Sequence, residues 1–198
     1  NMMYPEFVMV CWAAQRLGRP VKWLGDRSEA FVTDYQARDL YTDAALALDA
    51  DGNFLALRAD LVGNLGAHTV SFVPLSNGPR LLPSVYRMKA GYARIRGVLT
   101  HTVPTGPYRG AGRPEAMHVV ERLIDMAAAD MNIDRIDLRR RNMIAADAFP
   151  ASNPMDTTYD CGEFEICLDK ALVMSGWDGF ESRRTESAAR GKLRGIGY

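Results

Sequence analysis

The run "TVPTGPYRGAGRPEAMHVVERLIDMAA" places two arginines and several glycines at the mouth of a helix. Gly106, Gly110 and Gly112 let the backbone enter conformations closed to other residues and admit a ligand without Cβ interference. Pro114 suits the first helical position, where its missing N–H is not needed. A helix N-terminus exposes unpaired N–H groups and the positive end of its dipole. Arg109 and Arg113 add fork-shaped donors. Together these residues suit an oxygen-rich or phosphate-bearing ligand. A structural glycine–proline entry into a helix uses the same residue types. The loop ends in Gly-Arg-Pro and so lacks the Gly-Lys-Ser/Thr of the nucleotide P-loop. Glu115 stands where the dinucleotide fingerprint needs its third glycine. His68, His101 and His118 are scattered and there is no Cys-x-x-Cys, which argues against zinc. No nucleophile elbow supports a Ser-His-Asp triad.

The elements that must position this loop follow from periodicity. "PEFVMVCWAAQRLGRP" predicts a helix from Pro5, ended by Gly18 and Pro20. "VKWL" then reads as a short buried strand, and Asp26-Arg27-Ser28-Glu29 as a capped turn. Alternation on both sides of Asp51-Gly52 predicts a β-hairpin with a type I′ turn. "SFVPLSNGPRLLPSVYRM" reads as an irregular covering segment, and "AGYARIRGVLTHTV" as a strand. Helices are expected over 115–131, near 135–143, near 163–175 and near 179–190, with the polar loop "DAFPASNPMDTTYDCG" among them. On the long helix the expected inward stripe is Val119, Leu123, Met126 and Ala127.

Hairpin logic early and helices late predict an α+β fold around a mixed or antiparallel sheet. A sheet-bearing portion, 1–112, carries the loop and precedes a helical portion, 113–198. The closing "KLRGIGY", with Leu193, Ile196 and Tyr198, reads as the opening of a strand. Asn1 and Tyr198 both look like breaks in a longer polypeptide.

Lys+Arg and Asp+Glu both number 24, so no basic surplus points to nucleic acid and no acidic tail is present. No apolar run approaches the ~20 residues of a membrane span. Cys11, Cys161 and Cys167 form no framework, which suits a reducing, cytoplasmic setting.

At "GPYRGAGRPEA" the sequence resembles the molybdenum-binding large subunit of the xanthine dehydrogenase and aldehyde oxidase family, nearest to its carbon-monoxide-dehydrogenase-like bacterial members. "YPEFVMVCWAAQRLGRPVKWLGDRSEAF" is similar to the segment after that family's Gly-Gly-Phe-Gly loop. "ARDLYTDAALALDADGNFLALRADLVGNLGAH" is similar to its next hairpin, and "IDLRRRNMI" and "YDCGEF" also have counterparts.

The resemblance implies part of a molybdopterin-binding domain, with Tyr108, Arg109, Gly110, Gly112 and Arg113 facing the cofactor and Ala111 in the substrate pocket. It implies a molybdenum–molybdopterin, in its cytosine dinucleotide form, and oxidation of an aldehyde or N-heteroaromatic substrate with water-derived oxygen. Iron–sulfur (2Fe–2S) and FAD-bearing subunits would be its partners, in a homodimer of heterotrimers. Gly110 stands where carbon monoxide dehydrogenases carry a copper-ligating cysteine, so copper chemistry is not implied. Ala111 replaces the purine-stacking phenylalanine, and Asn77 stands at the purine-orienting arginine, so a purine is disfavoured. Arg80 is nearby in sequence but takes no such role. The family's general-base glutamate would lie beyond Tyr198, so no catalytic residue is expected in this segment, and Glu115, Glu121 and Asp125 read as solvent or capping groups. Two other readings stay open: a non-catalytic scaffold or binding module, and an anion- or nucleotide-binding domain.

Overall fold

A computed structural model describes residues 3–197. Its contacts sort into two compact units that interleave along the chain: 1–42, 60–78 and 94–115 in one, 43–59, 79–93 and 116–198 in the other. These units do not follow a boundary at residue 112. The reason lies in the strands, each of which contributes residues to both.

Strands β1 (Leu40–Leu48), β2 (Phe54–Gly66) and β3 (Ala90–Leu99) form one sheet in that order. β1 and β2 make the expected hairpin, but its turn is not type I′. Gly52 has φ 84°, whereas Asp51 stays out of the positive-φ region that type I′ would demand. Instead the Asp49 carboxylate accepts from the N–H groups of Asp51 (3.1 Å) and Asn53 (2.8 Å), closing a longer loop. β2 and β3 run parallel: Lys89 N–H donates to Leu55 O near the start, and Thr100 N–H to Gly66 O at the end, at one constant offset. The sheet is therefore mixed.

Within the first unit, α1 (Pro5–Leu17) ends at Gly18 in the left-handed region, and α2 (Arg27–Thr33) is capped by Asp26, whose carboxylate accepts from Glu29 N–H at 2.8 Å. "VKWL" is not a strand. Trp23 and Leu24 are 47% and 82% exposed: a short apolar run has the pattern of a buried strand whether or not a neighbouring strand is there to pair with it. The segment expected to be irregular contains α3 (Val73–Arg80), started by Ser71, whose hydroxyl accepts from Val73 N–H. Proline is tolerated in its first turn, and Pro79 comes only at its end.

In the second unit, α4 (Arg113–Met131), α5 (Arg135–Asn142) and α6 (Phe164–Ser175) surround a core of Phe54, Tyr86, Val120, Ile124, Leu138 and Leu168 with their neighbours. The buried stripe of α4 is Ala116, Val120, Ile124 and Ala128, one residue on from the expected stripe, and Met126 is exposed. Both stripes satisfy helical spacing, and only the partner surface decides between them. The "polar loop" folds into a small antiparallel hairpin, β4 (Ala151–Asn153) with β5 (Thr157–Tyr159). α7 (Phe180–Ala189) follows, and residues up to 197 after it form no strand. Leu193 is fully exposed, and Tyr198 lies outside the described residues.

Two buried polar groups tie this core. Asn142 donates to Gly52 O and Leu138 O, both at 2.9 Å, and its side-chain oxygen accepts from Phe54 N–H at 2.8 Å. Arg139, wholly buried, pairs with Glu121 (2.8 Å) and Asp125 (2.9 Å). Burial pulls its pKa down, but the charge and hydrogen bond of Glu121 outweigh that and leave it above the ordinary value. Replacing Asn142 by leucine strands the Phe54 N–H and Gly52 carbonyl in the core. The expected loss is about 2 kcal/mol of stability, read as a lower denaturant midpoint; an unshifted midpoint would show that the amide ties nothing.

Candidate functional site

The loop before α4 belongs wholly to the first unit, as does the first turn of that helix through Glu115. Its backbone is held from outside at Gly106, whose N–H donates to Gln36 O at 2.9 Å while Gln36 N–H donates to Pro104 O. From Gly110 to Gly112 three successive residues have positive φ: 98°, 45° and 97°. Ala111 takes this conformation although it is not glycine, a strained state that persists only where surroundings impose it.

What imposes it is backbone contact with α3. A Cβ on Gly112 would lie 2.4 Å from Pro74 O and 2.7 Å from Gly78 N, and one on Gly78 would lie 2.9 Å from Gly112 O. The two glycines let main chain meet main chain with no side chain between. Within the loop, Ala111 N–H donates to Tyr108 O (2.7 Å) and Arg113 N–H to Gly110 O (2.9 Å). The N–H groups of Arg109, Gly110 and Gly112 have no acceptor among the described residues.

The side chains divide their roles. Arg113 turns back to donate to Gly110 O at 3.3 Å, so part of its donor set braces the loop. Tyr108 is exposed, at 65%. Arg109 is also exposed, and its guanidinium has no hydrogen-bond or ion-pair partner among the described residues. Glu115 is not a solvent group: its carboxylate pairs with Arg38 at 3.0 Å. Glu121 and Asp125 hold Arg139 and, for Glu121, accept from the Tyr86 hydroxyl at 2.9 Å. Asn77 lies on α3. Arg80 instead donates to Asp156 O and takes no part in the loop.

Arg38 is the residue that sequence reasoning missed. Its guanidinium donates to Arg109 O, pairs with Glu115 and lies over the Tyr108 ring at 5.2 Å. It has φ 60°, again in the left-handed region. Nothing in "QARDL" signals such contacts, because their partners come 70 or more residues later. The free cysteines Cys11, Cys161 and Cys167 are all exposed and lie outside this loop. No helix of the described residues is long and apolar enough to cross a membrane.

Chemically, the loop offers three free backbone donors, one free guanidinium and the first turn of a 19-residue helix. That donor set fits an electron-rich, oxygen-bearing group. The profile of the family described as "Molybdopterin cofactor-binding domain" matches residues 1–143. The chain is 30% identical over 98% of its length to the 6-hydroxypseudooxynicotine dehydrogenase complex subunit gamma of Paenarthrobacter nicotinovorans, covering 25% of that protein. It is 33% identical over 95% of its length to the carbon monoxide dehydrogenase large chain of Hydrogenophaga pseudoflava, covering 24% of it. Among solved structures, the quinoline 2-oxidoreductase of Pseudomonas putida 86 matches 96% of the chain and 25% of its own, at 31% identity and TM-score 0.88. The chain thus spans about a quarter of the length of the curated relatives it matches.

The glycine contacts make a prediction. Gly112→Ala places a methyl group against Pro74 O and should cost about 1–3 kcal/mol through backbone strain alone, with the overlap in addition. Gly18→Ala, with φ 65° but nothing within 4 Å, should cost only about 1 kcal/mol. Thermal midpoints that fall equally in both variants would contradict the close approach of α3.

Proposed function

The chain belongs to the molybdopterin cofactor-binding domain family, and from that premise we propose that it forms part of a molybdenum hydroxylase large subunit in which the Tyr108–Arg113 turn faces the cofactor. The support is the row of N–H groups at Arg109, Gly110 and Gly112 without an acceptor among the described residues, on a turn held at Gly106, at Gly112 and at the Arg109 carbonyl. When bound, the molybdenum–pterin supplies two-electron oxidation of a substrate carbon with oxygen taken from water.

The chain's own residues do four things in this reading. Gly110 and Gly112 present amide hydrogens to the cofactor's oxygens, at no reorganisation cost because the turn is already in place. Arg109 adds positive charge where the bound group is electron-rich. Arg113 braces the turn through Gly110 O and keeps its remaining donors for the pterin. Ala111 borders the substrate space, and its small side chain leaves room for a flat ring.

The substrate class we infer is an N-heteroaromatic, with an aldehyde next. Quinoline and nicotine stand in the names of similar proteins, the quinoline 2-oxidoreductase and the nicotine 6-hydroxylase large subunit. Carbon monoxide oxidation with copper is disfavoured. Gly110 offers no thiolate, and a Cβ there would lie 2.6 Å from the Pro114 ring. The similar proteins are named as a subunit of a complex and as a large chain, which supports partner subunits; that these carry iron–sulfur and FAD in a homodimer of heterotrimers, that the pterin is the cytosine dinucleotide form and that the site of action is cytoplasmic belong to the same reading and rest on the resemblance of the loop sequence alone.

In the full-length subunit, Arg109→Ala should lower molybdenum occupancy or turnover of an N-heteroaromatic substrate by roughly tenfold, the equivalent of one charge-assisted hydrogen bond. Metal analysis and steady-state kinetics check this together. Full metal content with normal turnover would take the turn out of the chemistry.

A further inference from the structure

Each glycine that frees the turn also removes a barrier against its inversion. Swinging the Arg109–Gly110 peptide by half a turn changes mainly ψ of Arg109 and φ of Gly110, and glycine occupies positive and negative φ with similar ease. The turn as sequence alone would build it therefore has two orientations for this peptide. In one, the Gly110 N–H points toward a ligand. In the other, the Arg109 carbonyl does, and an acceptor meets an electron-rich group.

We propose that Arg38 is a positioning residue that locks the Arg109–Gly110 peptide in the donor-out orientation; this rests on the cofactor-facing role of the turn argued above. A trans peptide is planar, so its C=O and N–H point in opposite directions. Arg38 Nη2 takes the Arg109 carbonyl. The Gly110 N–H is thereby turned away from Arg38, and it is one of the donors without an acceptor among the described residues.

Arg38 is itself held at two further points, which gives the lock its rigidity. Nη1 pairs with Glu115 at 3.0 Å, on the first turn of α4, with the carboxylate side chain only 17% exposed. The guanidinium plane lies over the Tyr108 ring at 5.2 Å, the residue just before the peptide it controls. The fork of the guanidinium reaches a carbonyl and a carboxylate at once, which a lysine ammonium at a single point does not reproduce. Its left-handed backbone, φ 60°, is the strain expected of a residue over-determined by its surroundings.

The backbone conformation of Arg38 supplies a clean variant. Arg38→Gly removes the lock while placing at φ 60° the residue that prefers it, which offsets part of what losing the pairing with Glu115 costs the fold. In the intact subunit, Arg38→Gly should shift the thermal midpoint little, yet lower bound molybdenum by roughly tenfold, the worth of one charge-assisted hydrogen bond. Arg38→Lys, which keeps the pairing with Glu115 but not the fork, should recover part of that loss. Wild-type metal content in Arg38→Gly overturns the lock, and so does a loss that only follows a fallen midpoint in both variants. A wild-type subunit that itself binds no molybdenum overturns the cofactor reading as well, and so is told apart from failure of the lock alone.

Discussion

Main-chain contact between α3 and the turn before α4 is the constraint on which the site depends. Where Gly78 meets Gly112, no side chain intervenes, and the next heavy atoms are carbonyl oxygens and amide nitrogens of the other segment. Such a contact cannot be loosened by a rotamer change, because there is no rotamer. It holds Gly112 in place while Arg38 holds the Arg109 carbonyl, and together they set which amides are turned inward, to Tyr108 O and Gly110 O, and which have no acceptor among the described residues. Donors arranged before a ligand arrives are worth more than donors that must be reorganised around it. Replacing either glycine with any other residue would exchange that preorganisation for overlap.

Charge is used twice in this chain, and composition does not distinguish the uses. Basic and acidic residues are equal in number, so each unspent arginine has to be identified by its geometry. Arg139 is wholly buried between Glu121 and Asp125, and its removal would leave Glu121 without its guanidinium and Asp125 with only the longer contact to Arg135 at 3.9 Å. Arg94 and Arg96 share Asp60, whose pKa is held below the usual carboxylate value chiefly by the hydrogen bond from Arg94. Arg38 is committed to the turn. Arg109 is exposed with its guanidinium unpartnered among the described residues, as Arg19, Arg27 and Arg122 are too; what distinguishes it is its place in the turn beside amides that have no acceptor.

Much of this could be read from residues in order, and the parts that could not have a common cause. Helices α1, α4, α5, α6 and α7 and the β1–β2 hairpin follow from local periodicity and caps, such as Gly18 and Asp134. The failures came where a partner surface had to choose. "VKWL" has no strand to join, Ile124 rather than Met126 is buried, and α3 is hidden because Pro74 and Pro79 both read as helix breakers, although one lies in its first turn and the other next to its last residue. At the site, the glycines and arginines of the loop announced themselves by type. Arg38 did not, since its role is conferred by groups more than 70 positions away, and no short window of sequence contains them.

The carboxylates near the turn complete the division of labour. On the first turn of α4, Glu115 is bound to Arg38; farther along, Glu121 and Asp125 are bound to Arg139. For any of them to accept a proton from a substrate or a water, it would first have to leave its guanidinium, and the two on Arg139 would uncover a buried charge in doing so. General acid–base chemistry needs a group within hydrogen-bond reach of the reacting atoms and free to change its protonation. None of these three meets that condition, whereas the turn itself carries amide hydrogens and a cation, which stabilise negative charge and transfer nothing. In the reading proposed above, the contribution of this turn is therefore electrostatic and positional, and none of these three carboxylates is placed to move a proton.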